Sequence, residues 1–332
     1  MEKVKVILLS CIKRGQKNTR FLIKYDGKYA SVKLPADLFY ELGSEIEISE
    51  NKINDRKFDP KWEKNYLAWA NTKRKILNHL SKYKKDFLGI PEDGFWEDKD
   101  GNRNYYSHIL PEKIEDKNII DSVYSQSIKK LKKDKESEIH KGFRCLNSSQ
   151  AFAFNFFQPI IDANLFSVLI GPANHILDYD YERKNKEDTQ FDFYLKADNK
   201  EYSFEVKYTE EDFGAAPMDE THIKKWNSIY KNKMAKILKK EMKMEDFFGE
   251  YQLWRNICFS SEGMNVRFVF PKFREDLSTK VNNAKDLCKE EIQEKIDIII
   301  VDDIVSDLKD LGNKDIFKHY SQFEQKYLLI GD

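Results

Sequence analysis

Asp192, Glu205 and Lys207 are the residues of this chain whose types and spacing could do chemistry together. Two carboxylates on a shared face can hold one hard divalent cation, and an ammonium beside them can reach a phosphate oxygen or an attacking water. Such a set suits metal-assisted hydrolysis of a phosphodiester. Without a cation, neighbouring carboxylates repel and one tends to keep a proton; with Mg²⁺ both can stay ionised.

The segment that carries them, Thr189 to Tyr208, alternates apolar and polar residues around Asp198-Asn199. If those two form a tight turn, Ala197 pairs with Lys200 and Asp192 lies across from Glu205. The same register opposes Phe191 to Val206, Phe193 to Phe204 and Leu195 to Tyr202, collecting the apolar side chains on the other face. Opposed Cβ atoms are about 4.5–5.5 Å apart. Lys207 follows on the face of Glu205, roughly 6.6 Å along the strand. The pattern Glu-x-Lys also occurs at Glu50, Glu97, Glu115, Glu182, Glu241 and Glu324, but none of those matches sits in an alternating strand with an aspartate registered across a turn. An isolated match reads as a half-solvated hairpin with surface charges.

Asp192 followed by Glu205-Val206-Lys207 resembles the active-site signature of the PD-(D/E)xK nuclease superfamily, the restriction-endonuclease-like proteins, over roughly residues 143 to 301. The resemblance implies an α/β fold with a mixed sheet flanked by helices. It implies Mg²⁺, with Mn²⁺ able to substitute, on Asp192, Glu205 and the Val206 carbonyl, and a Lys207 that orients or deprotonates the attacking water. It implies duplex DNA as substrate, a type II restriction or defence role, and a homodimer. Two details depart from the family pattern: Phe191 stands where proline often precedes the first acid, and the first core helix offers Gln150 and Asn155 in place of a glutamate. Gln150, Asn155 and, on a later helix, Gln252 are therefore the candidate auxiliary site residues. An effector nuclease acting on RNA or single strands through a sensory N-terminal domain, and a catalytically silent nucleic-acid-binding relative, are the alternatives.

The elements that must position these residues are partly legible. Residues 1–56 contain short strands (Lys3 to Leu9, Phe21 to Tyr25, Lys28 to Leu34, Glu45 to Ile48) and a hairpin turn at Asp26-Gly27, so a small β-rich domain for target reading or interaction is expected. Residues 57–141 read as a helical connector: a helix starts at Asp59-Pro60 with Trp62, Tyr66, Trp69, Ile76 and Leu80 as its stripe, and residues 85–117 form a long loop. Residues 142–332 are the expected catalytic domain. Asn147-Ser148-Ser149 starts a core helix through Gln158 that is apolar nearly all round. A helix from Thr221 to Lys243 carries Lys224 and Lys225 on a face of lysines that suits a phosphate track. The next, Glu245 to Cys258, places Gln252, Arg255 and Asn256 on one polar side. Lys224, Lys225, Arg255 and Asn256 are the candidate DNA contacts. Val266 to Phe270 and Ile296 to Val301 are strands, the second apolar enough to be central, with Asp302-Asp303 capping the helix after it.

The chain has 332 residues, enough for a well-buried core and about two domains. Lys plus Arg equal Asp plus Glu at 57 each, so no global positive field marks a nucleic-acid partner and any binding is local. Cys11, Cys145, Cys258 and Cys288 lack metal-ligand spacing, and four reduced thiols in a cytoplasmic protein are expected. The first residues do not form a secretory signal, and no segment approaches the about 18 apolar residues of a membrane span.

Overall fold

The structure is a computed structural model that describes residues 3–13, 18–26, 28–35, 43–54, 60–98, 101–173, 175–184 and 189–329. By contact it divides into two units, one of residues 1–118 with 144–147 and 329–332, the other of residues 119–143 and 148–328.

The first unit opens with strands β1 (Lys3–Lys13), β2 (Asn18–Tyr25), β3 (Lys28–Pro35), β4 (Glu45–Ser49) and β5 (Ile53–Asn54). All pairings are antiparallel, in the order β4-β1-β2-β3-β5. Val6, Leu8, Phe21, Ile23, Ala30, Val32, Leu34 and Ile48 form the buried face of this sheet. β1 runs past the expected Leu9, with register shifts between Leu8 and Ser10 and between Cys11 and Lys13 that let one strand bend. Helix α1 (Pro60–Asp86) follows and buries Trp69, Ile76 and Leu80; Asp59 and the side chains of Trp62 and Tyr66 lie outside the described residues.

The expected long loop after α1 is not structureless. It holds the hairpin β6 (Gly94–Glu97) and β7 (Arg103–Tyr106), and Phe95 lies between the guanidinium groups of Arg103 and Arg144 at 4.3 and 4.5 Å from its ring centre. A Cβ on Gly94 would sit 2.4 Å from the Leu110 carbonyl oxygen, so only glycine permits that approach. Its strands are four residues each, too short for period-2 alternation to announce them.

The second unit is a mixed α/β layer structure. Helices α2 (Ser125–Asp134), α3 (Ser149–Asp162) and α4 (Ser167–Ile170) precede strands β8 (Ile176–Lys184), β9 (Gln190–Ala197) and β10 (Lys200–Val206). Then come α5 (Glu220–Lys225), a π-helical turn (Trp226–Tyr230), α6 (Lys231–Ile237), α7 (Met244–Gly249) and α8 (Tyr251–Ile257). Strand β11 (Asn265–Phe270), α9 (Glu275–Leu287), α10 (Glu290–Gln293), β12 (Ile296–Ile300), α11 (Val301–Asp310) and α12 (Lys314–Tyr327) complete it. The sheet order is β12-β11-β10-β9-β8, with β8, β9 and β10 antiparallel and β10, β11 and β12 parallel.

Ser148 caps α3 by accepting from the Ala151 amide, and the helix is buried from Gln150 to Ile160. Phe157 stacks on Phe193 at 4.3 Å and meets Phe204 edge-on, which fastens α3 to the β9–β10 hairpin. A second cluster, with Trp226, Tyr230, Phe247, Leu253 and Trp254, packs on Val266, Phe268 and Phe270 of β11.

Four expectations are corrected. β12 is an edge strand, and β10 lies at the centre; the apolar run of β12 is covered by α9, α10 and α11, so an uninterrupted hydrophobic sequence reports burial without reporting sheet position. The lysine-rich helix ends at Ile237, because Leu238 turns extended and bridges to Cys288. The next helix breaks at Glu250, where the free amides of Tyr251 and Gln252 find the carbonyls of Gly214 and Phe213. Asp302 and Asp303 lie in the first turn of α11 but do not cap it as expected: Ile300 is the N-cap residue, without a side-chain bond, and Asp302 accepts from the Lys272 amide at 2.7 Å.

Candidate functional site

The β9–β10 hairpin has the register that its turn residues require: Ala197 faces Lys200, Leu195 faces Tyr202 and Phe193 faces Phe204. Asp198 takes up the positive φ of 49° that this turn needs. One step beyond Phe193, the Asp192 carboxylate accepts from the Val206 amide at 2.6 Å. Glu205 offers one oxygen to Lys207 Nζ at 2.8 Å and the other to Asn256 Nδ2 at 2.6 Å. Lys207 also donates to Gln252 Oε1 at 2.8 Å. The polar face of the hairpin is thus buried under α8, with Glu205 and Lys207 only 4% and 5% exposed.

A third acid joins them. Tyr181 faces Phe193 and Arg183 faces Phe191, so Glu182 of β8 falls beside Asp192. Its φ of 52° breaks the alternation of the strand. Tyr181 packs on Phe154 and Phe193, whereas Arg183 stacks over Tyr194 at 4.0 Å. Phe191 is displaced with it: instead of joining Phe193 against α3, it meets Phe259 edge-on in the opposite cluster. Gln150 donates to one Glu182 oxygen at 2.7 Å and Gln190 to the other at 2.8 Å. A fourth acid, Glu210, accepts from the Tyr208 amide at 2.8 Å just beyond Lys207.

The electrostatics follow from burying more acid than base. Burial, then Glu205 and Glu182, hold the Asp192 carboxyl well above the ordinary carboxylate range. Burial pushes Glu182 up to about 7 despite the two amides that bind it. Burial alone would lower Lys207, but Glu205, Glu210 and Asp192 outweigh it and keep the ammonium charged. For Glu210 the opposing order holds: burial is overcome by Lys207, the Ser149 hydroxyl and the Tyr208 amide, and its carboxyl stays below the usual range.

Glu182 therefore binds its proton more tightly folded than unfolded, and its contribution to stability is present below pH 4.5 and lost as pH rises toward about 7. The metal-free protein is expected to lose up to about 3 kcal/mol across that window, and Glu182→Gln to flatten the loss. Urea unfolding at a series of pH values checks this; an equally steep fall in the variant would assign the loss to other groups.

The remaining candidates separate. Gln150 reaches the acids through Glu182 while its carbonyl accepts from His140 N. Asn155 does not reach them: it binds the Ala151 carbonyl, the Ile120 amide and the Tyr327 hydroxyl, on the side where α3 meets α12. Arg255 approaches Glu205 at 3.9 Å. Lys224 is exposed and Lys225 half-buried on α5. Lys233, part of the expected lysine face, is buried against Phe259 and paired with Glu262. Glu182 and Glu210 were missed from the sequence. The segment Asn185 to Asp188 carries no two-residue turn that would register β8 on β9, although Leu177, Tyr179 and Tyr181 alternate as a strand should.

Among the described residues no three His, Cys, Asp or Glu side chains converge so as to hold an ion by themselves. Asp192 and Glu205 could hold a hard cation together with main-chain, water or phosphate oxygens. The site suits one: its carboxylates are crowded beyond what Lys207 neutralises, and Asn256 Oδ1 is buried beside Glu205 without a hydrogen-bond partner among the described residues.

Searches of curated proteins and of solved structures return no match. A family model does match, over residues 77–328, and this protein belongs to the family that it describes, Restriction Endonuclease associating with ARP.

Proposed function

We propose that this protein is a Mg²⁺-dependent endonuclease that hydrolyses phosphodiester bonds of duplex DNA in a restriction or defence system. The observation that carries the reading is the meeting of Asp192, Glu205 and Lys207 at one buried point on adjacent strands, in a chain of a restriction-endonuclease family.

Asp192 and Glu205, with the Val206 carbonyl, would hold the cation, and Mn²⁺ would serve in place of Mg²⁺. When bound, the ion supplies Lewis acidity toward the phosphoryl group and offsets the acids that crowd the site. Lys207, held charged, donates: it orients the attacking water or a phosphate oxygen and adds positive charge where the transition state gathers negative charge. A lysine whose proton is held this firmly is a poor base, so orientation is its role here. Gln150 and Gln190 keep Glu182 turned beside Asp192, and Gln252 steadies the ammonium. The outer side of α5, with Lys224 and Lys225, and Arg255 on α8 supply cations for the DNA backbone. Two copies, each cutting one strand, would sever a duplex.

Incubation of the full chain with duplex DNA, single-stranded DNA and RNA, each with Mg²⁺ and with excess chelator, tests the reading. Metal-dependent cleavage of duplex DNA is expected, with a fixed sequence at the new ends. Cleavage confined to RNA or single strands would move the substrate class, and no turnover on any of them would reject the enzyme.

A further inference from the structure

We infer that Asn256 is a positioning residue that holds the Glu205 carboxylate for metal binding, and not a contact to nucleic acid. The inference rests on the nuclease reading above. Asn256 is 1% exposed, so no substrate reaches it, and its Nδ2 donates to Glu205 Oε2 at 2.6 Å. Its helix is firmly seated: Leu253, Trp254 and Ile257 are buried in the core, and the amides of Tyr251 and Gln252 are tied to the Gly214 and Phe213 carbonyls. Four residues earlier on the same face, Gln252 takes the Lys207 ammonium. One turn of α8 therefore grips both Glu205 of β10 and Lys207 just beyond its end.

The two grips differ in consequence. Lys207 spends two of its three N–H donors on Glu205 Oε1 and Gln252 Oε1, and any exchange of the first for a phosphate or a water frees Glu205 Oε1. The bond from Asn256 keeps Oε2 in place through that exchange. A neutral amide is suited to this, since a cationic partner would compete with the metal for the carboxylate. Oδ1 of Asn256 is buried in the same place and has no hydrogen-bond partner among the described residues, so the bond to Glu205 is the one contact that holds the amide.

Two variants separate positioning from substrate contact and from plain packing: Asn256→Ala, and Asn256→Leu, which keeps the branched outline of the side chain and removes both polar atoms. The full chain is titrated calorimetrically with Mn²⁺ alone, without nucleic acid, and kcat and KM for duplex DNA are measured at saturating metal. Both variants are expected to bind Mn²⁺ about 10–100-fold more weakly, the usual cost of losing the partner that orients a metal ligand. The KM for DNA is expected to stay within about twofold of the parent. Asn256→Leu also leaves Glu205 Oε2 without its donor and is expected to melt lower than the parent while staying folded, and its result decides should Asn256→Ala fail to fold. In a Glu205→Gln background, adding Asn256→Ala is expected to change Mn²⁺ affinity by less than about twofold, because the two act through one contact. Unchanged Mn²⁺ affinity in both variants, or a loss confined to KM for DNA, overturns the assignment while leaving the nuclease intact. A parent protein that neither binds Mn²⁺ nor cleaves overturns the nuclease reading and this inference together.

Discussion

Glu205→Gln is expected to fold normally and to lose metal-supported DNA cleavage by at least about a hundredfold, the scale of removing one group aimed at the transition-state charge. The substitution keeps the shape and can keep an oxygen toward Lys207, but its new NH2 then meets Asn256 Nδ2, so the Asn256 amide has to turn over and accept with Oδ1 instead. What it removes is charge. Glu205 is among the causes that lift Asp192, so the variant relieves a repulsion and should unfold at the same or a higher urea concentration. Stability held or gained with activity lost is the signature of a site that tolerates repulsion for the sake of a cation. Lys207→Ala is expected to behave otherwise. It leaves Glu205, Asp192 and Glu210 buried without their ammonium, and loses both activity and stability. The check is urea unfolding beside cleavage rates at saturating Mg²⁺. A Glu205→Gln protein that cuts at the parental rate would reject the assignment of the site.

The largest loss of stability is expected at a residue with no part in the chemistry. Arg274 is wholly buried and spends its guanidinium on the carbonyls of Tyr208, Glu210 and Glu211 and, through two bonds of 2.9 Å, on Asp276. Those carbonyls belong to the stretch directly after Lys207, where the chain leaves the sheet and its backbone has no strand to pair with. Arg274→Ala leaves three carbonyls without their donor and opens a cavity where the guanidinium lay, while the exposed Asp276 turns to water, and is expected to cost at least about 3 kcal/mol. Arg274→Lys should recover only part of this, because one ammonium cannot match a planar fork. Denaturant midpoints decide it; an alanine variant within about 1 kcal/mol of the parent would show that this stretch is held by other means. Because Lys207 and Glu210 lie at its start, metal-supported cleavage should fall even where the variant remains folded.

The parts of the fold read correctly from sequence are those whose determinants are neighbours. Asp198-Asn199 and the alternation from Phe193 to Phe204 set the β9–β10 register, with Phe191 the exception, Ser148 starts α3, and the phenylalanines on every side of that helix require its burial. The errors share a cause as well. The break at Leu238 is made by Cys288, 50 positions away, and that at Glu250 by Gly214, 37 positions from the Tyr251 amide it binds, which no local preference reveals. β12 looks central because side-chain apolarity records cover on its faces and says nothing about hydrogen bonding at its edges.

The chemistry divides along the same line. Sequence alone determined that one hairpin presents Asp192, Glu205 and Lys207 together, since a tight turn and a period of two are short-range constraints that hold wherever the hairpin packs. Tertiary structure alone decided that Glu182 sits beside Asp192, that Gln252 and Asn256 grip Lys207 and Glu205, and that the charged cluster is roofed over by α8. Those contacts join residues as far as 51 positions apart in the chain. They arise only when helices settle on a sheet and each buried charge must find a donor or an acceptor within reach.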